Sequence, residues 1–227
     1  HVDIEAYKKH NVKVCNVPRR NFDAVADFTW GQILALMRNL AKADHGIRQG
    51  KWVAGVERSS AVSKKTLGII GMGAIGQAVA KRAAGFDMRI IAKSTSKKLE
   101  IAQKYNLEFL DDEEFINEAD IVVICCPHNE QTDKMICEKT LGWMKPSAFL
   151  INPSRGGIVD TDALYKALKD GAIKGAALDV FDEEPLFESK LFELDNVLLT
   201  PHIGGLADRE IDNVAKKAAE NCIAQLA

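Results

Sequence analysis

Several things are missing from this sequence, and each absence narrows what the chain does. It has no apolar stretch long enough to cross a bilayer, and its first residues lack the basic, apolar and small-residue succession of a signal peptide, so a cytoplasmic setting is expected. Charge of one sign is not in excess: 30 basic residues face 32 acidic ones, a net charge of -2 with no long run of either. That balance gives no electrostatic footprint for nucleic acid and makes a small molecule the expected ligand. The five cysteines form no CxxC pair, and Cys125 and Cys126 are adjacent inside an apolar run, which suits buried reduced thiols; no metal site is expected. No internal repeat and no low-complexity tract is present.

What is there is ordinary globular material: 47% hydrophobic and 27% charged residues over 227 positions, enough for a sizeable core. The first residues read as a short helix followed by a strand, Asn11 to Pro18, ending at proline. From Asn21, apolar residues recur every three or four positions through Phe22, Val25, Ala26, Thr29, Ile33, Leu36, Met37, Leu40 and Ile47. This spacing predicts one long amphipathic helix ending near Gly50. A connecting arm, Lys51 to Ser63, follows.

The pattern then changes. Short apolar runs at Thr66–Ile70, Met88–Ala92, Ile121–Cys125, Ala148–Ile151 and Ala176–Asp179 alternate with amphipathic segments, and Asn196–Thr200 is a sixth such run. Near-continuous apolar strands between helices predict βαβ units, hence an α/β fold with a doubly wound parallel sheet of the Rossmann type. Asp208 to Ala227 reads as a final amphipathic helix.

Two groups of residues carry chemistry. Gly71-Met-Gly73-Ala74-Ile75-Gly76 follows the first strand directly and opens a helix read as Gln77 to Ala84. In that context Gly71 permits a tight turn, Gly73 admits a pyrophosphate close to the backbone, and Gly76 lets helix and strand pack closely, while the helix N-terminus offers free N–H groups to the anion. The competing reading is a glycine-rich turn without a ligand. Where an NAD-binding protein usually carries an acidic residue at the end of the second strand, this sequence has Lys93 and Ser94, followed by Thr95, Ser96, Lys97 and Lys98. A carboxylate there would repel the extra phosphate of NADP by about 4 kcal/mol at 4 Å and an effective dielectric near 20. Its absence favours NADP, with NAD as the alternative, and a solvated helix start as the bland explanation of the lysines.

The second group lies at strand ends: Arg155 after the Ala148 run, Asp179 closing the next, the acidic run Asp182-Glu183-Glu184 before Pro185, and His202 after Pro201. Carboxyl ends of parallel strands are where open sheets bind ligands. Reduction of a keto acid needs a clamp for its carboxylate, which an arginine fork supplies, and a proton for its oxygen, which histidine supplies near neutrality. A carboxylate beside the histidine would favour the imidazolium and fix the ring. Charge alone does not choose among the three acids of the loop.

These segments, together with Asn16-Val17-Pro18, Asn152–Asp160, Ala177–Pro185 and Thr200–Gly205, resemble the D-isomer-specific 2-hydroxyacid dehydrogenases, a family including phosphoglycerate and glyoxylate/hydroxypyruvate members. The resemblance runs along the whole chain. It implies that Arg155 binds substrate, that His202 is the acid/base, and that Glu184 is the acid that orients it. It further implies that Asp179 contacts the nicotinamide carboxamide, that Cys126 and Pro127 line the cofactor cleft, and that Thr132 and Gly204 join Gly71 to Gly76, Lys93, Ser94 and His202 as cofactor-binding residues. A homodimer is implied, with the helix from Phe22 contributing to its contact. By the same comparison, residues 1–20 are the end of a flavodoxin-like substrate domain, 21–206 the dinucleotide-binding domain, and 207–227 a helix returning to the substrate domain. Roughly a hundred residues of that first domain are absent, about a domain's worth. The remaining alternative is a dinucleotide-sensing, corepressor-like binding protein without catalysis.

Overall fold

In a parallel sheet with helices on both faces, a strand has no wet side, so its sequence is apolar at every position rather than at alternate ones. The computed structural model, which describes residues 2–17, 21–52 and 58–226, shows this directly. It contains α1 (Ile4–Lys9), α2 (Phe22–Met37), α3 (Leu40–Arg48), β1 (Thr66–Ile70), α4 (Ala74–Ala83), β2 (Arg89–Lys93), α5 (Leu99–Tyr105), β3 (Leu107–Phe109) and α6 (Asp112–Glu118). There follow β4 (Ile121–Ile124), α7 (Glu138–Gly142), β5 (Phe149–Asn152), α8 (Thr161–Lys169), β6 (Gly175–Leu178), β7 (Val197–Leu199) and α9 (Asp208–Leu226). Every residue of β4, β5 and β6 is buried.

The seven strands pair in the order β3-β2-β1-β4-β5-β6-β7, all parallel. The chain thus winds outward from β1 in one direction and from β4 in the other, and the crevice over the carboxyl ends of β1 and β4 is the topological switch point where such sheets take ligands. Two apolar layers sandwich the sheet. One is built around Ile33, Trp30 and Met37 of α2 and Val79 of α4, the other around Phe115 of α6, Leu141 of α7 and Leu164 of α8. α2 is bolted to α4 by Trp30, whose indole N–H donates to the Val79 carbonyl (3.1 Å) and whose ring stacks on Phe86 at 4.7 Å.

Three sequence expectations need correction. The long helix to Gly50 is two helices: Asn39 takes a left-handed conformation (φ +55°), and the Met37 carbonyl accepts the Ser60 N–H (2.8 Å) instead of continuing the helical ladder. Past the break Leu40 and Ile47 are exposed, so the apolar periodicity continues without burial. The strand expected from Asn11 does not form in residues 11–17, which find no ladder partner among the described residues and leave Val12 and Val14 exposed; Pro18 lies outside the described residues. Lastly, β3 was not foreseen, being three residues with one buried side chain.

Candidate active site

Gly71 leaves β1 with φ +95°, and a Cβ on it would lie 2.7 Å from the Cys125 carbonyl oxygen, so the turn requires glycine on both conformational and steric grounds. The helix starts three residues earlier than expected, making Gly73 the N-cap of α4 with no side-chain cap. A Cβ on Gly73 would meet nothing within 4 Å, whereas on Gly76 it would lie 2.1 Å from the Gly71 carbonyl oxygen. The backbone is therefore open at Gly73 and closed against itself at Gly76. Uncapped N–H groups beside open space form a cradle for a pyrophosphate, and the residues present fit a dinucleotide.

Beside this turn a cleft of about 820 Å³ is lined by Gly73, Ala74, Gln77, Ser94, Ser96 and the amines Lys81, Lys98 and Lys104, with Asp23 and Glu100 as its carboxylates. Lys93 points elsewhere: its ammonium pairs with Asp112 (2.8 Å), and Lys97 pairs with Asp111 (2.8 Å). Of the lysine run only Lys98 faces the cleft. Lys81 and Lys104, which the sequence reading did not single out, join it, and neither Lys81 nor Lys98 has an ion-pair partner among the described residues.

On the β4 side, Cys126 and Pro127 begin a loop braced by Thr132, whose hydroxyl donates to the Pro127 carbonyl (2.8 Å) and accepts the Asn129 N–H (2.8 Å). Thr132 shapes this wall through its own hydroxyl. Burial pushes the thiols of Cys125 and Cys126 up, though each is only half-buried by exposure; all five cysteines are free.

The catalytic candidates converge over β5, β6 and β7. Arg155, His202 and Glu184 line one cleft of about 550 Å³ with Lys134, Asp182, and the pair His128 and Asp133. Arg155 is exposed; the buried Asn152 amide holds its carbonyl (2.9 Å), fixing the bend after β5. His202 Nδ1 lies 2.6 Å from Glu184 Oε2, and Glu184 Oε1 accepts the Phe181 N–H at 3.0 Å. Burial pushes the Glu184 carboxyl up, but the bonds from His202 and the Phe181 N–H, with the charges of His202 and Arg155, outweigh it and leave it below the usual carboxylate range. Asp182 instead accepts from the Thr161 hydroxyl (3.1 Å), which resolves the choice among the loop's acids.

His202 sits in the left-handed region, φ +54°, a conformation that a histidine holds only where its surroundings impose it. Asp179 imposes it. Almost fully buried, its carboxylate accepts the Thr200 hydroxyl (2.7 Å) and the Ile203 N–H (3.0 Å) on one oxygen and the Gly204 N–H (2.8 Å) on the other. The fit is close at Gly204, where a Cβ would lie 3.0 Å from that carboxylate. Gln32 of α2 donates to Thr200 Oγ1 (3.2 Å), extending the network beneath the sheet.

Sequence reasoning missed His128, whose Nε2 lies 2.7 Å from Asp133 Oδ1 and whose ring packs where a Gly157 Cβ would otherwise sit. Its position two residues after Cys126, at a strand end, was the available signal.

Residues 30–204 match the description "D-isomer specific 2-hydroxyacid dehydrogenase, NAD binding domain". The chain belongs to that family. A glyoxylate reductase from Pyrococcus horikoshii is 44% identical over 98% of this chain and 69% of its own length. Among solved structures, D-lactate dehydrogenase with NAD+ from Lactobacillus jensenii superposes with a TM-score of 0.86 at 29% identity, covering 99% of this chain and 71% of that one. An acyclic imino acid reductase in complex with NADPH and D-Arg gives the same TM-score at 31% identity, covering 99% and 71%. The chain is thus an oxidoreductase of the CH–OH class that uses a nicotinamide dinucleotide. No helix of the described residues is long and apolar enough to cross a membrane.

Proposed function

We propose that this chain reduces a small 2-keto acid, glyoxylate to glycolate or a substituted homologue to its D-2-hydroxy acid, with NADPH preferred over NADH. The observation that carries the reading is the meeting of Arg155, Glu184 and His202 in one cleft, on the same sheet edge as the Gly71–Gly76 turn. Gly71, Gly73, Ala74, Ile75 and Gly76 would hold the pyrophosphate, with Ser94, Cys126, Pro127, Thr132, Asp179 and Gly204 along the rest of the cleft. When bound, the dinucleotide supplies hydride. The guanidinium of Arg155 clamps the substrate carboxylate by charge-assisted hydrogen bonds. The Nε2 proton of His202 goes to the keto oxygen, and Glu184, 2.6 Å from Nδ1, fixes the orientation of the ring for that transfer.

Support for NADPH comes from the lack of a carboxylate at position 94 and from Lys81, Lys98 and Lys104 around the same cleft. Lys93, expected to contribute, is neutralised by Asp112 and drops out of this argument. In the same reading, residues 21–206 form the cofactor domain, 1–20 and 207–227 belong with the substrate domain, the protein is a homodimer through the region of α2, and it works in the cytoplasm.

Calorimetric titration with NADPH and NADH, followed by glyoxylate turnover of wild type, Arg155→Ala and His202→Ala, tests the proposal. Tighter NADPH binding with turnover lost in both variants is expected. Tighter NADH binding overturns the cofactor preference, and turnover surviving in both variants overturns the assignment of the site.

A further inference from the structure

Five free thiols are dispersed through the sequence, and the dehydrogenase site has a use for none of their sulfurs. Two of them are brought together from opposite ends of the chain. Cys15, in the extended segment after α1, has its sulfur 2.9 Å from that of Cys222 in α9, though 207 positions separate them. The neighbouring contacts are consistent with a real junction: Asn221 Nδ2 donates to the Asn16 carbonyl at 2.8 Å, and Lys13 Nζ donates to the Gln225 carbonyl. Cys222 is exposed and Cys15 partly so, leaving the pair open to solutes.

We infer that Cys15 and Cys222 form an oxidisable dithiol, a modification site whose disulfide fastens the segment after α1 to α9. A disulfide needs its sulfurs at about 2.05 Å, so closure asks for an approach of under about 1 Å. The oxidant is a hydroperoxide or a low-molecular-weight disulfide. With hydrogen peroxide, the Cys222 thiolate takes one oxygen, breaking the O–O bond and forming an S–O bond, and the other oxygen leaves as water. The Cys15 thiol then attacks that sulfur, the S–S bond forms as the S–O bond breaks, and its proton leaves with the hydroxyl as a second water. Two thiols are oxidised and one peroxide is reduced to two waters. An external dithiol reverses the change by exchange.

This junction is built differently from the other cysteine sites. Cys125 and Cys126 sit under the cofactor crevice where burial pushes both thiols up, and Cys137 hydrogen-bonds within the first turn of α7. The Cys15 thiol is itself pushed up by its hydrogen bond with Cys222, so what sets this pair apart is access and the 2.9 Å between its sulfurs, which make it the place where oxidation yields a bond within one chain.

The test uses the full chain treated with one equivalent of hydrogen peroxide, and in parallel with oxidised glutathione. It is then alkylated, and its peptides are mapped without reduction. The expected result is a peptide linked through Cys15 and Cys222, with the alkylatable thiols falling from the five of the sequence to three, restored by dithiothreitol. Cys15→Ser and Cys222→Ser should each abolish the linked peptide while keeping the other cysteines alkylatable. Oxidation that leaves no such peptide in the wild type, whether thiols are lost as higher oxides, as adducts of other cysteines or not at all, overturns the inference. The wild-type map decides the matter even if a serine variant folds poorly.

Discussion

Asp179→Asn tests the hydrogen-bond network that holds His202 in place. The substitution keeps size and shape but exchanges one carboxylate oxygen for an NH2. Asp179 Oδ1 accepts two donors, Thr200 Oγ1 and Ile203 N, and Oδ2 accepts one, Gly204 N. The less costly amide orientation keeps oxygen toward the first two and sets NH2 against the Gly204 N–H, where the acceptor stood at 2.8 Å. One charge-assisted bond, worth about 1.5–3 kcal/mol, is lost and a buried N–H is stranded; the two overlap, so the total is about 2–4 kcal/mol. For a chain of this size that lowers the melting temperature by roughly 5–15 °C. Donor against donor also pushes the Thr200–Gly204 loop outward. A displacement of about 1 Å at His202 reduces turnover about a hundredfold. Calorimetric melting and steady-state turnover of glyoxylate read the two effects, and nucleotide titration measures separately what Asp179 and Gly204 contribute to the cofactor cleft. Wild-type melting would refute the hydrogen-bond argument. Lowered stability with wild-type turnover would refute the link from Asp179 to His202.

Gly76→Ala places a methyl group 2.1 Å from the Gly71 carbonyl oxygen, so the turn must open; nucleotide Kd is expected to rise at least about tenfold in calorimetric titration, and an unchanged Kd would mean that the turn relaxes freely. His202→Asn and His202→Val share the loss of the proton donor, about 10²–10⁴ in turnover, but differ in the left-handed conformation that asparagine tolerates and valine does not. Denaturant unfolding should therefore show the valine variant about 1–2 kcal/mol less stable than the asparagine one. Asp120 accepts the Thr66 N–H (2.9 Å) at the start of β1 and pairs with Lys145 (3.2 Å). Burial pushes its carboxyl up, but those two partners outweigh it and hold it below the usual carboxylate range. A depressed folded value contributes stability that is present above the unfolded value near 4 and lost as pH falls through the folded one. Asp120→Asn should destabilise the protein by about 1–3 kcal/mol at neutral pH and flatten the acid slope of its unfolding free energy below about pH 4; an acid slope like wild type counts against the sign.

The sheet was legible in the sequence because strands buried on both faces are written as continuous apolar runs, and five such runs with a sixth near Asn196 gave six of seven strands. β3 escaped because three residues with one buried side chain carry no run. The break at Asn39 escaped for a different reason: the three-to-four spacing continues across it, and what ends α2 is a carbonyl taken by Ser60, a contact of tertiary structure. In the site, the glycine turn was readable since its demands are local. The choice of Glu184 over Asp182, though readable through the family resemblance, was not readable from charge, being set by which carboxylate the folded loop turns toward His202 and which toward Thr161. The same holds for Lys81 and Lys104, which come from two helices to one cleft, and for Lys93, whose neutralisation by Asp112 depends on the fold of the β2 edge.

These differences follow from how the two halves of the site are made. The nucleotide half is mostly backbone: a left-handed glycine, an open N-cap and a carbonyl that forbids a side chain at position 76. Such a surface depends on few side chains, so substitutions around it are expected to change preference more readily than they remove binding. The hydride-accepting half is mostly side chain, and its geometry is inherited through a relay in which Gln32 donates to Thr200, Thr200 to Asp179, and Asp179 fixes the backbone on either side of His202. Gln32 comes from α2, so the placing of the imidazole depends partly on how that helix packs. A change in how α2 packs therefore reaches His202 through three hydrogen bonds, and it reaches α4 and the glycine turn through Trp30 and through Arg82, which pairs with Asp23 and Asp27 of α2. Perturbations of α2 should consequently act on turnover and on nucleotide affinity together.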